Sequence, residues 1–394
     1  MRFLIINTDY PQFSDWLYAH HPGLAQETYD EQIQVRMESL FGDADFYSSN
    51  LRKLGHEAYD LRPNVEWMQR AWAQEHGVLI EQPIPVPQRG RSILKKITNE
   101  TPLKYLKPLF RSLRRSMSQQ QPWFYDVLAA QIKYYKPDVV FNLAMDSIST
   151  SFLQEMKEYM GLLIGCSEPP VLLNEQDWQV YDLIAAPSEG MLDYFNKVGL
   201  KTELLRFGFE PDVLLLLDHN YQKSVPVSFV GSIGSIHSER LKVLETLCMK
   251  LGERMFVWAP SADHLSTTSS IRKRYQGSAF GCASYQILSA SKITVNCHIN
   301  VAGQFADNMR LFEATGMGTM LITDWKVNLH NMFEPEKEVI TYRTAEECAE
   351  LVLYYLEHDT EREIIARAGQ ERTLREHTYY QRMQELDNIV GKYL

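Results

Sequence analysis

The first half of the chain alternates short apolar segments with longer amphipathic ones. Residues 137–143 (PDVVFNL) form a β-branched run after a proline, which is typical of a strand buried in a parallel sheet. Apolar side chains at Ile33, Met37 and Leu40 recur at helical spacing and predict a helix over residues 29–41. The same reasoning predicts strands at 3–7, 162–164 and 183–186, helices at 46–54 and 123–135, and a loop that holds Pro11, His20, His21 and Pro22. Strands that alternate with helices in this way predict a doubly wound parallel sheet.

The alternation starts again after residues 204–212 (LLRFGFEPD), which have the pattern of a strand end followed by a linker with glycine and proline. Leucines line one face of the next predicted helix, at residues 237–252. Strands are predicted at 226–231, 255–258, 293–296, 319–323 and 339–342. We therefore expect an N-terminal domain at 1–208, a similar domain at 209–375 and a final helix at 376–394.

Two late helices are each preceded by the sequence pattern of a capping box. In the first pattern Thr344 stands three residues before Glu347, and in the second Thr360 stands three residues before Glu363. These threonines are expected to mark where the two helices begin.

Composition narrows the class of protein. The chain has 394 residues, of which 45% are hydrophobic and 23% charged, as in ordinary globular proteins. A net charge of −10 makes nonspecific nucleic-acid binding a poor expectation. The five cysteines contain no CxxC pair, which favours a reducing compartment over a disulfide framework or a structural zinc site. No apolar run approaches a membrane span, and the N-terminus resembles a strand more than a signal peptide, so we predict a cytoplasmic protein.

One segment runs against the acidic average. Residues 89–117 contain nine Lys or Arg and a single acid, Glu100. Such a block suits peripheral contact of residues 89–115 with an anionic membrane, or an anionic substrate. A solvated helical insertion, at about 85–120 of the N-terminal domain, explains it equally well.

The stretch NMRLFEATGMGTMLITD at 308–324 combines a short helix, a glycine-rich turn and a strand of β character. Asp307 or Asn308 is expected to cap the helix and leave its first N–H groups free for a ligand. Arg310 is then placed to reach a phosphate, and Glu313 to accept hydrogen bonds from ribose hydroxyls. An intrahelical Arg310–Glu313 pair is the structural alternative, worth only ~0.2–0.5 kcal/mol.

Two further segments fall where strands of the second half end. In Gly231-Ser232-Ile233-Gly234 the glycines allow backbone amides to approach a phosphate, although a simple tight turn has the same sequence. Arg240 lies early in the following helix and is placed either to pair with a diphosphate or to form a surface ion pair. His298 follows the strand at 293–296, as a ligand group or as an ordinary loop histidine.

Together these segments resemble a known family. FVGSIGSIHSERL, SYQILSASKITVN and above all NMRLFEATGMGTMLITD are similar to the C-terminal domain of CgeB-like glycosyltransferases, which is of the glycosyltransferase group 1 kind. FGDADFYSSNLRKLGHEA and DLIAAPSEGMLDYFNKVGLKTELLRFGFEPDV extend the resemblance to the N-terminal half, whereas residues 78–120 look particular to this chain. The resemblance implies the GT-B fold, with two facing Rossmann-like domains and a final helix that crosses back to the N-terminal one.

The resemblance also implies a function for the cleft between the domains. The C-terminal domain is expected to bind a nucleotide-sugar donor, and the N-terminal domain an acceptor that is a glycan, a lipid-linked glycan or a protein. Glu313 matches the glutamate that binds the donor ribose. The residues expected to bind the donor are Gly231, Ser232, Gly234, Arg240, Tyr285, His298, Asn308, Arg310, Glu313 and Ala314. Related retaining enzymes have an earlier glutamate where this chain has Phe305, so the stereochemistry is not inherited, and His298 or Asn308 is expected to take over that glutamate's role.

Catalysis needs an acceptor hydroxyl that is deprotonated or held in place. A general base is expected on the N-terminal side of the cleft, with His21 and Asp146 preferred among the candidates Asp9, His20, His21, Asp146 and Glu168. The DAD at 43–45 resembles a manganese motif, but it lies between predicted helices and is better explained by helix capping. No metal and no cofactor beyond the nucleotide-sugar are expected.

The expected function is a metal-independent transfer of a sugar from a UDP- or GDP-linked donor. Two alternatives stay open at this point. A nucleotide-sugar epimerase or hydrolase has the same fold, and a noncatalytic binding or assembly protein is permitted by the missing glutamate.

Overall fold

The computed structural model describes residues 1–80, 122–166, 177–217, 222–234, 238–299 and 303–394, so that the basic segment 89–115 and Glu168 lie outside the described residues. The first sheet contains β1 (Arg2–Ile6), β2 (Glu57–Leu61), β3 (Val139–Asn142), β4 (Leu162–Gly165), β5 (Leu183–Ala186) and β6 (Thr202–Leu204). The second sheet contains β7 (Val225–Val230), β8 (Met255–Trp258), β9 (Ser291–Asn296), β10 (Met320–Asp324) and β11 (Ile340–Tyr342).

Helices in the described ranges connect and cover these strands. They are α1 (Pro11–His20), α2 (Tyr29–Glu38), α3 (Phe46–Lys53), α4 (Glu66–Glu75), α5 (Pro122–Tyr135), α6 (Thr150–Met156), α7 (Glu189–Lys197), α8 (Val213–Leu216), α9 (Ser238–Leu251), α10 (Ser270–Arg274), α11 (Cys282–Ala290), α12 (Arg310–Gly316), α13 (Ala345–Glu357), α14 (Asp359–Glu376) and α15 (Tyr379–Gly391). Short 3₁₀ turns lie at Leu24–Gln26, Lys157–Tyr159, Trp178–Val180, Gly252–Arg254 and Leu329–Asn331. None of these helices is long and apolar enough to cross a membrane.

Both sheets are parallel, as the alternating pattern predicts. The strand order is β2-β1-β3-β4-β5-β6 in the first sheet and β11-β10-β9-β7-β8 in the second. All residues of β3, β4 and β5 are buried, because helices cover both faces of a doubly wound sheet. Parallel strands align their carboxyl ends along one edge, and this edge is where ligands bind in such folds.

The predicted loop around Pro11 is wrong, because Pro11–His20 is helix α1. A proline at the first helical position removes only an N–H that has no partner within the helix. Phe13 and Leu17, one turn apart, are the buried residues of α1 and hold it on the domain. Strand β2 was not predicted, because its sequence EAYDL has only two buried positions and does not form an apolar run.

Helix α2 ends at Glu38, three residues before the predicted end at residue 41. Its buried positions are Tyr29, Gln32 and Arg36, so the face that turns inward is largely polar. Ile33 and Met37, which suggested the helix, are only half-buried. The helical period was therefore correct, but the predicted inner face was wrong.

Of the two predicted capping threonines, one is confirmed. The Thr344 hydroxyl accepts the backbone N–H of Glu347 at 3.1 Å and opens α13. Thr360 caps nothing, since α14 already begins at Asp359 with His358 as its N-cap residue. A capping box that was not predicted opens α15, between Thr378 and Gln381.

The aspartates of the DAD sequence do not cap α3, so the capping interpretation is wrong. Asp45 occupies the N-cap position without a side-chain cap bond and lies 3.4 Å from Arg52. Asp43 is buried and accepts hydrogen bonds from Asn7 at 3.2 Å and from Arg62 at 3.3 Å. Asp43 therefore serves as a buried hydrogen-bond acceptor and ion-pair partner and not as a helix cap.

Asp43 belongs to a buried ion network at the carboxyl ends of β1 and β2. Arg36 donates two hydrogen bonds to Asp9, at 2.6 Å and 3.2 Å, and Arg62 lies 3.8 Å from the same carboxylate. Burial alone would raise the pKa of Asp9, but Arg36 and Arg62 outweigh it and lower the pKa. Asp60, in the same network, keeps a pKa raised by burial to about 6.

The linker after β6 passes between the sheets against two other segments. The Phe209 N–H donates to the His377 carbonyl at 2.8 Å, and the Tyr379 N–H donates to the Phe209 carbonyl at 2.9 Å. The linker is therefore hydrogen-bonded to the segment that leads into α15. The Phe209 ring lies against Gly316 so closely that a Cβ there would fall 2.4 Å from it. The close contact with Phe209 thus requires a glycine at position 316. Gly318 has a different role, because its φ of 65° is a left-handed conformation that ends α12.

We expect Gly316→Ala to lower the free energy of unfolding by about 1–3 kcal/mol, because the added methyl overpacks the contact with Phe209. Gly391→Ala, with nothing within 4 Å of its Cβ position in α15, should be neutral or slightly stabilising. Chemical denaturation of both variants measures the difference. Equal effects of the two changes would show that the Phe209 contact yields without cost.

The last helix returns to the first domain, as expected. Its first residue, Tyr379, places its ring 5.2 Å from the rings of Phe46 and Tyr47 on α3. Farther along α15, Asp387 lies 3.1 Å from His56 and Lys392 lies 3.0 Å from Glu203. The carboxyl-terminal helix therefore fastens the two domains together on the linker side.

A second contact joins the domains on the side of α1. Phe280 packs among rings of the first domain, 5.8 Å from Phe13 and 5.3 Å from Phe41. The adjacent Gly281 has a φ of 54°, and a Cβ there would fall 1.8 Å from the Ser39 carbonyl. That carbonyl accepts the N–H of Cys282 at 2.8 Å, so the start of α11 is hydrogen-bonded to the end of α2.

Candidate functional site

The glycine turn after β7 and the end of β9 are joined by one arginine. Arg240, on α9, donates to the Cys297 carbonyl from Nε at 3.0 Å and from Nη2 at 2.7 Å, and to the Ser232 carbonyl from Nη1 at 2.7 Å. The guanidinium is buried and also lies over the Phe229 ring. Arg240 thus holds Gly231-Ser232-Ile233-Gly234 against the end of β9, rather than forming the surface ion pair that was the alternative.

His298, just beyond β9, forms a dyad with the last residue of β10. The Asp324 carboxylate accepts the His298 Nδ1–H at 2.7 Å and the His298 backbone N–H at 3.0 Å, and Lys326 lies 3.2 Å from its other oxygen. Burial alone would raise the pKa of Asp324, but His298 and Lys326 outweigh it and hold the pKa well below its ordinary value. An ionised Asp324 fixes the imidazole tautomer and its orientation.

The other ring nitrogen of His298 is the unusual atom of the site. Nε2 is buried and has no hydrogen-bond partner among the described residues. A buried polar atom without a partner is costly, so it calls for an explanation such as a bound water, ion or ligand. The dyad therefore presents one oriented nitrogen that is free for a ligand.

Asn308 does not cap α12, and neither does Asp307. The N-cap residue is Met309, and no side chain caps the helix. The Asn308 amide instead donates to Asn296 at 2.9 Å, and Asn296 donates to Thr323 at 3.0 Å. Amide and hydroxyl thus connect the ends of β9 and β10 to the start of α12.

Helix α12 carries the third group of residues. Arg310 Nη1 lies 2.9 Å from Glu313, which is the intrahelical pair foreseen as the structural alternative. Tyr285, on α11, hydrogen-bonds to Glu313; burial raises the Tyr285 pKa well above its ordinary value and the carboxylate raises it further. Ala314, next in sequence, is fully buried. Both side chains of the Arg310–Glu313 pair keep partial exposure, 17% and 13%, so that a ligand can reach them.

The loop between β9 and α12 touches the first domain. Asp307 is hydrogen-bonded to Ser188, which precedes α7, and Phe305 lies against Gly190. Asn328 donates to Glu189 at 2.7 Å and to Ala306 at 3.1 Å. The site therefore lies where the carboxyl edges of the two sheets face each other.

Burial raises the pKa of Asp307 to about 6, although His298, Lys326 and Ser188 oppose this effect. A carboxyl with this pKa changes charge close to neutral pH. Asp307 was considered from the sequence only as a helix cap, and its neighbours are what give it another property.

The candidate bases on the first domain are spread out. Asp146 is exposed in the turn after β3, where Ser147 donates to it at 3.0 Å. His21 is exposed at the C-cap of α1, next to His20. Asp9 belongs to the buried ion network, where its carboxylate is paired with Arg36.

Asp324, Lys326 and Asp307 were not predicted as site residues. Asp324 had a detectable signal, because an acid at the carboxyl end of a buried strand lies at the edge where ligands bind. Lys326 and Asp307 had none, since their proximity to His298 depends on how two loops pack. In the described parts of the chain, no three His, Cys, Asp or Glu side chains are grouped closely enough to hold a metal ion.

The second half of the chain is similar to a known protein family. Residues 240–388, which include the dyad and α12, match the profile of a protein family described as glycosyl transferase-like. These residues form a glycosyl transferase-like domain. No curated protein matches the sequence.

Solved structures extend the likeness of the glycosyl transferase-like domain to the whole fold. Alr3699/HepE from Anabaena, in complex with UDP-glucose, has a TM-score of 0.57 at 9% identity, with 100% of each chain covered. A glycosyltransferase from Rickettsia africae has a TM-score of 0.57 at 12% identity, over 99% of this chain and 98% of that one. Sucrose-phosphate synthase from Thermosynechococcus elongatus has a TM-score of 0.52 at 12% identity, over 100% of this chain and 99% of that one. The fold is GT-B, as predicted, and the glycosyl transferase-like match lies within its second half.

Proposed function

We propose that the chain is a glycosyltransferase that moves a sugar from a UDP- or GDP-linked donor to an acceptor hydroxyl. The observation that carries the proposal is the oriented Nε2 of His298, which has no partner among the described residues and lies inside a glycosyl transferase-like domain. The complex of Alr3699/HepE with UDP-glucose supports a UDP-linked sugar as the first donor to test. The resemblance to CgeB-like glycosyltransferases is part of the proposal, as is the division into domains at 1–208, 209–375 and 376–394.

The donor lies across the carboxyl edge of the second sheet in this proposal. Glu313 accepts hydrogen bonds from the ribose hydroxyls beside Tyr285, and Asn308 and Ala314 form the adjacent wall. The backbone of Gly231, Ser232 and Gly234 approaches the diphosphate, with Arg240 holding that turn in place. His298 Nε2 hydrogen-bonds to the sugar.

Charge at the leaving diphosphate is offset by side chains. Arg310 and Lys326 are cations on the cleft side of the domain, and preorganised charges act strongly where water is excluded. We therefore propose a transfer that needs no metal. A chelator should leave the rate unchanged, and a rate that is abolished by chelation and restored by a divalent ion would contradict this part of the proposal.

The acceptor binds on the first domain, and its hydroxyl is deprotonated there. Asp146 and His21 remain the proposed bases, Asp146 because the turn after β3 lies at the carboxyl edge of the first sheet. The acceptor is a glycan, a lipid-linked glycan or a protein. Peripheral membrane contact through residues 89–115, in the cytoplasm, belongs to the same proposal.

Nucleotide binding is the first test. We expect UDP-glucose or a GDP-sugar to raise the thermal midpoint by several degrees, because a ligand at 100 times its Kd adds about 2.7 kcal/mol to stability. Glu313→Gln should remove most of the shift, because the amide has one accepting oxygen where the carboxylate has two. ADP-, CMP- and dTDP-linked sugars complete the screen.

Glu346→Gln is the matched control, because Glu346 is an exposed glutamate in the first turn of α13. It should keep the full shift. No shift with any nucleotide sugar in the unmodified chain would overturn the transferase proposal and favour a noncatalytic role. Release of free sugar or an isomerised donor without an acceptor would favour a hydrolase or an epimerase.

A further inference from the structure

A cavity of about 160 Å³ lies at the opposite edge of the second sheet from the donor residues. It is lined where strands begin: Lys223 precedes β7, Lys292 is the second residue of β9, and Gly318 precedes β10. Arg362 and Arg367 of α14 complete the cationic wall. A strand of five residues separates the two edges by roughly 17 Å, so this cavity is distinct from the donor site.

The charges of this cavity are unbalanced. Four cations line it, Lys223, Lys292, Arg362 and Arg367, against one acid, Glu363. Asp359 is shared between two of these cations, since it pairs with Arg362 and lies 3.5 Å from Lys292. Arg362 also lies 3.8 Å from Glu363 and Arg367 lies 4.0 Å from Glu371, so these two cations are paired and the excess positive charge is at Lys223. An excess of positive charge in a cavity favours the binding of an anion.

Lys223 is the cation of this cavity that forms no ion pair with an acid among the described residues. Its ammonium donates to the Gly318 carbonyl at 3.0 Å and to the Thr319 hydroxyl at 3.2 Å, while the residue as a whole remains exposed. Burial of the ammonium and the nearby Arg362 lower the Lys223 pKa to about 8, and no acidic group of the described residues offsets them. An anion entering the cavity would supply the missing partner.

The cavity wall is attached to both helices that carry donor residues. The Gly318 carbonyl, held by Lys223, and the Gly316 carbonyl, held by Gln370 at 2.9 Å, are at the end of α12, whose first turn holds Arg310 and Glu313. The Thr319 hydroxyl donates to the Leu288 carbonyl of α11, one turn after Tyr285. A cation near the carbonyls that end a helix stabilises that helix.

We propose that this cavity binds a small anion with phosphate groups, which draws the Lys223 ammonium away from the end of α12. Ammonium and guanidinium donors bind phosphate oxygens more strongly than they bind neutral carbonyls. The bound anion therefore competes with the Gly318 carbonyl for Lys223. Release of that carbonyl loosens the turn at Met317 and Gly318 that follows α12, at the opposite end of the helix from the donor residues.

Isothermal titration calorimetry with pyrophosphate tests the site in the full chain. We expect saturable binding to the unmodified protein, a loss of about tenfold or more in affinity in Lys223→Ala, and unchanged affinity in Lys250→Ala. Lys250 is an exposed lysine in the last turn of α9, outside the cavity. Pyrophosphate bound at the donor site would not respond to Lys223, so equal affinities in the three proteins would overturn the proposal.

Hydrogen–deuterium exchange supplies a second readout that needs no nucleotide. Pyrophosphate should speed exchange of the Met317 and Gly318 amides, in the turn that follows α12, in the unmodified protein and not in Lys223→Ala. Unchanged exchange in a protein saturated with pyrophosphate would overturn the competition for Lys223. Because neither measurement involves a donor sugar, failure here is distinguishable from failure of the proposed transferase activity.

Discussion

Replacing Arg36 with methionine should lower the free energy of unfolding by about 3–5 kcal/mol at neutral pH, because it leaves a buried carboxylate without its main partner. Arg36 is 1% exposed and makes both of its short bonds to Asp9, which is 4% exposed. Arg62, 3.8 Å away, is too far from Asp9 to replace them. Chemical denaturation at pH 7 measures the loss.

The pH dependence of this loss follows from the direction of the Asp9 pKa shift. In the unmodified protein the pKa of Asp9 is lowered, so its contribution to stability is present above the ordinary pKa of 3.8 and is lost as the pH falls through the folded value. Without Arg36, burial prevails and the pKa rises above 3.8. The destabilisation by Arg36→Met should therefore shrink as the pH is lowered and Asp9 becomes neutral.

Two further variants make this prediction specific. Arg70→Met removes an exposed pair with Glu66, at 2.7 Å on α4, and should cost no more than about 0.5 kcal/mol. The double variant Arg36→Met with Asp9→Leu should recover part of the stability, because it removes both buried charges. A loss in Arg36→Met no larger than in Arg70→Met would show that water reaches the network.

Replacing His298 with alanine should reduce kcat for sugar transfer by about 10²–10³-fold, the usual cost of removing one preorganised hydrogen-bonding group. The group lost is the buried Nε2, which Asp324 orients through Nδ1. Asp324→Asn should cause a loss in the same range, since it alters the tautomer while leaving the ring in place. UDP binding should be nearly unchanged in both, because the nucleotide is held by Glu313 in the proposed site.

Steady-state kinetics with a nucleotide titration separates these effects. His330→Ala is the control, as His330 is an exposed histidine outside the dyad. A fall in UDP affinity as large as the fall in kcat would place His298 on the nucleotide rather than on the sugar. An unchanged kcat in His298→Ala would remove the dyad from the reaction.

Periodicity in the sequence was sufficient to predict the architecture. The runs at 137–143 and 183–186 contain buried strands because apolar sequences are stable between two helical layers. The glycines of residues 308–324 predicted a turn between helix and strand, and Gly316 lies against Phe209 of the linker. Apolar periodicity did not predict the inner face of α2, because its buried residues include the polar Gln32 and Arg36. It did not predict β2 either, because that strand is half-exposed.

What the sequence by itself determined is the alternation of strands and helices, the two α/β units and a set of polar residues at strand ends. Local pattern is enough for these, because each depends on residues a few positions apart. Only the tertiary structure decided that His298 pairs with Asp324, that Tyr285 reaches Glu313, and that Arg240 holds two loops together. The His298–Asp324 contact joins residues 26 positions apart and the Arg240–Cys297 contact residues 57 positions apart. Both exist because parallel strands bring their carboxyl ends to one edge.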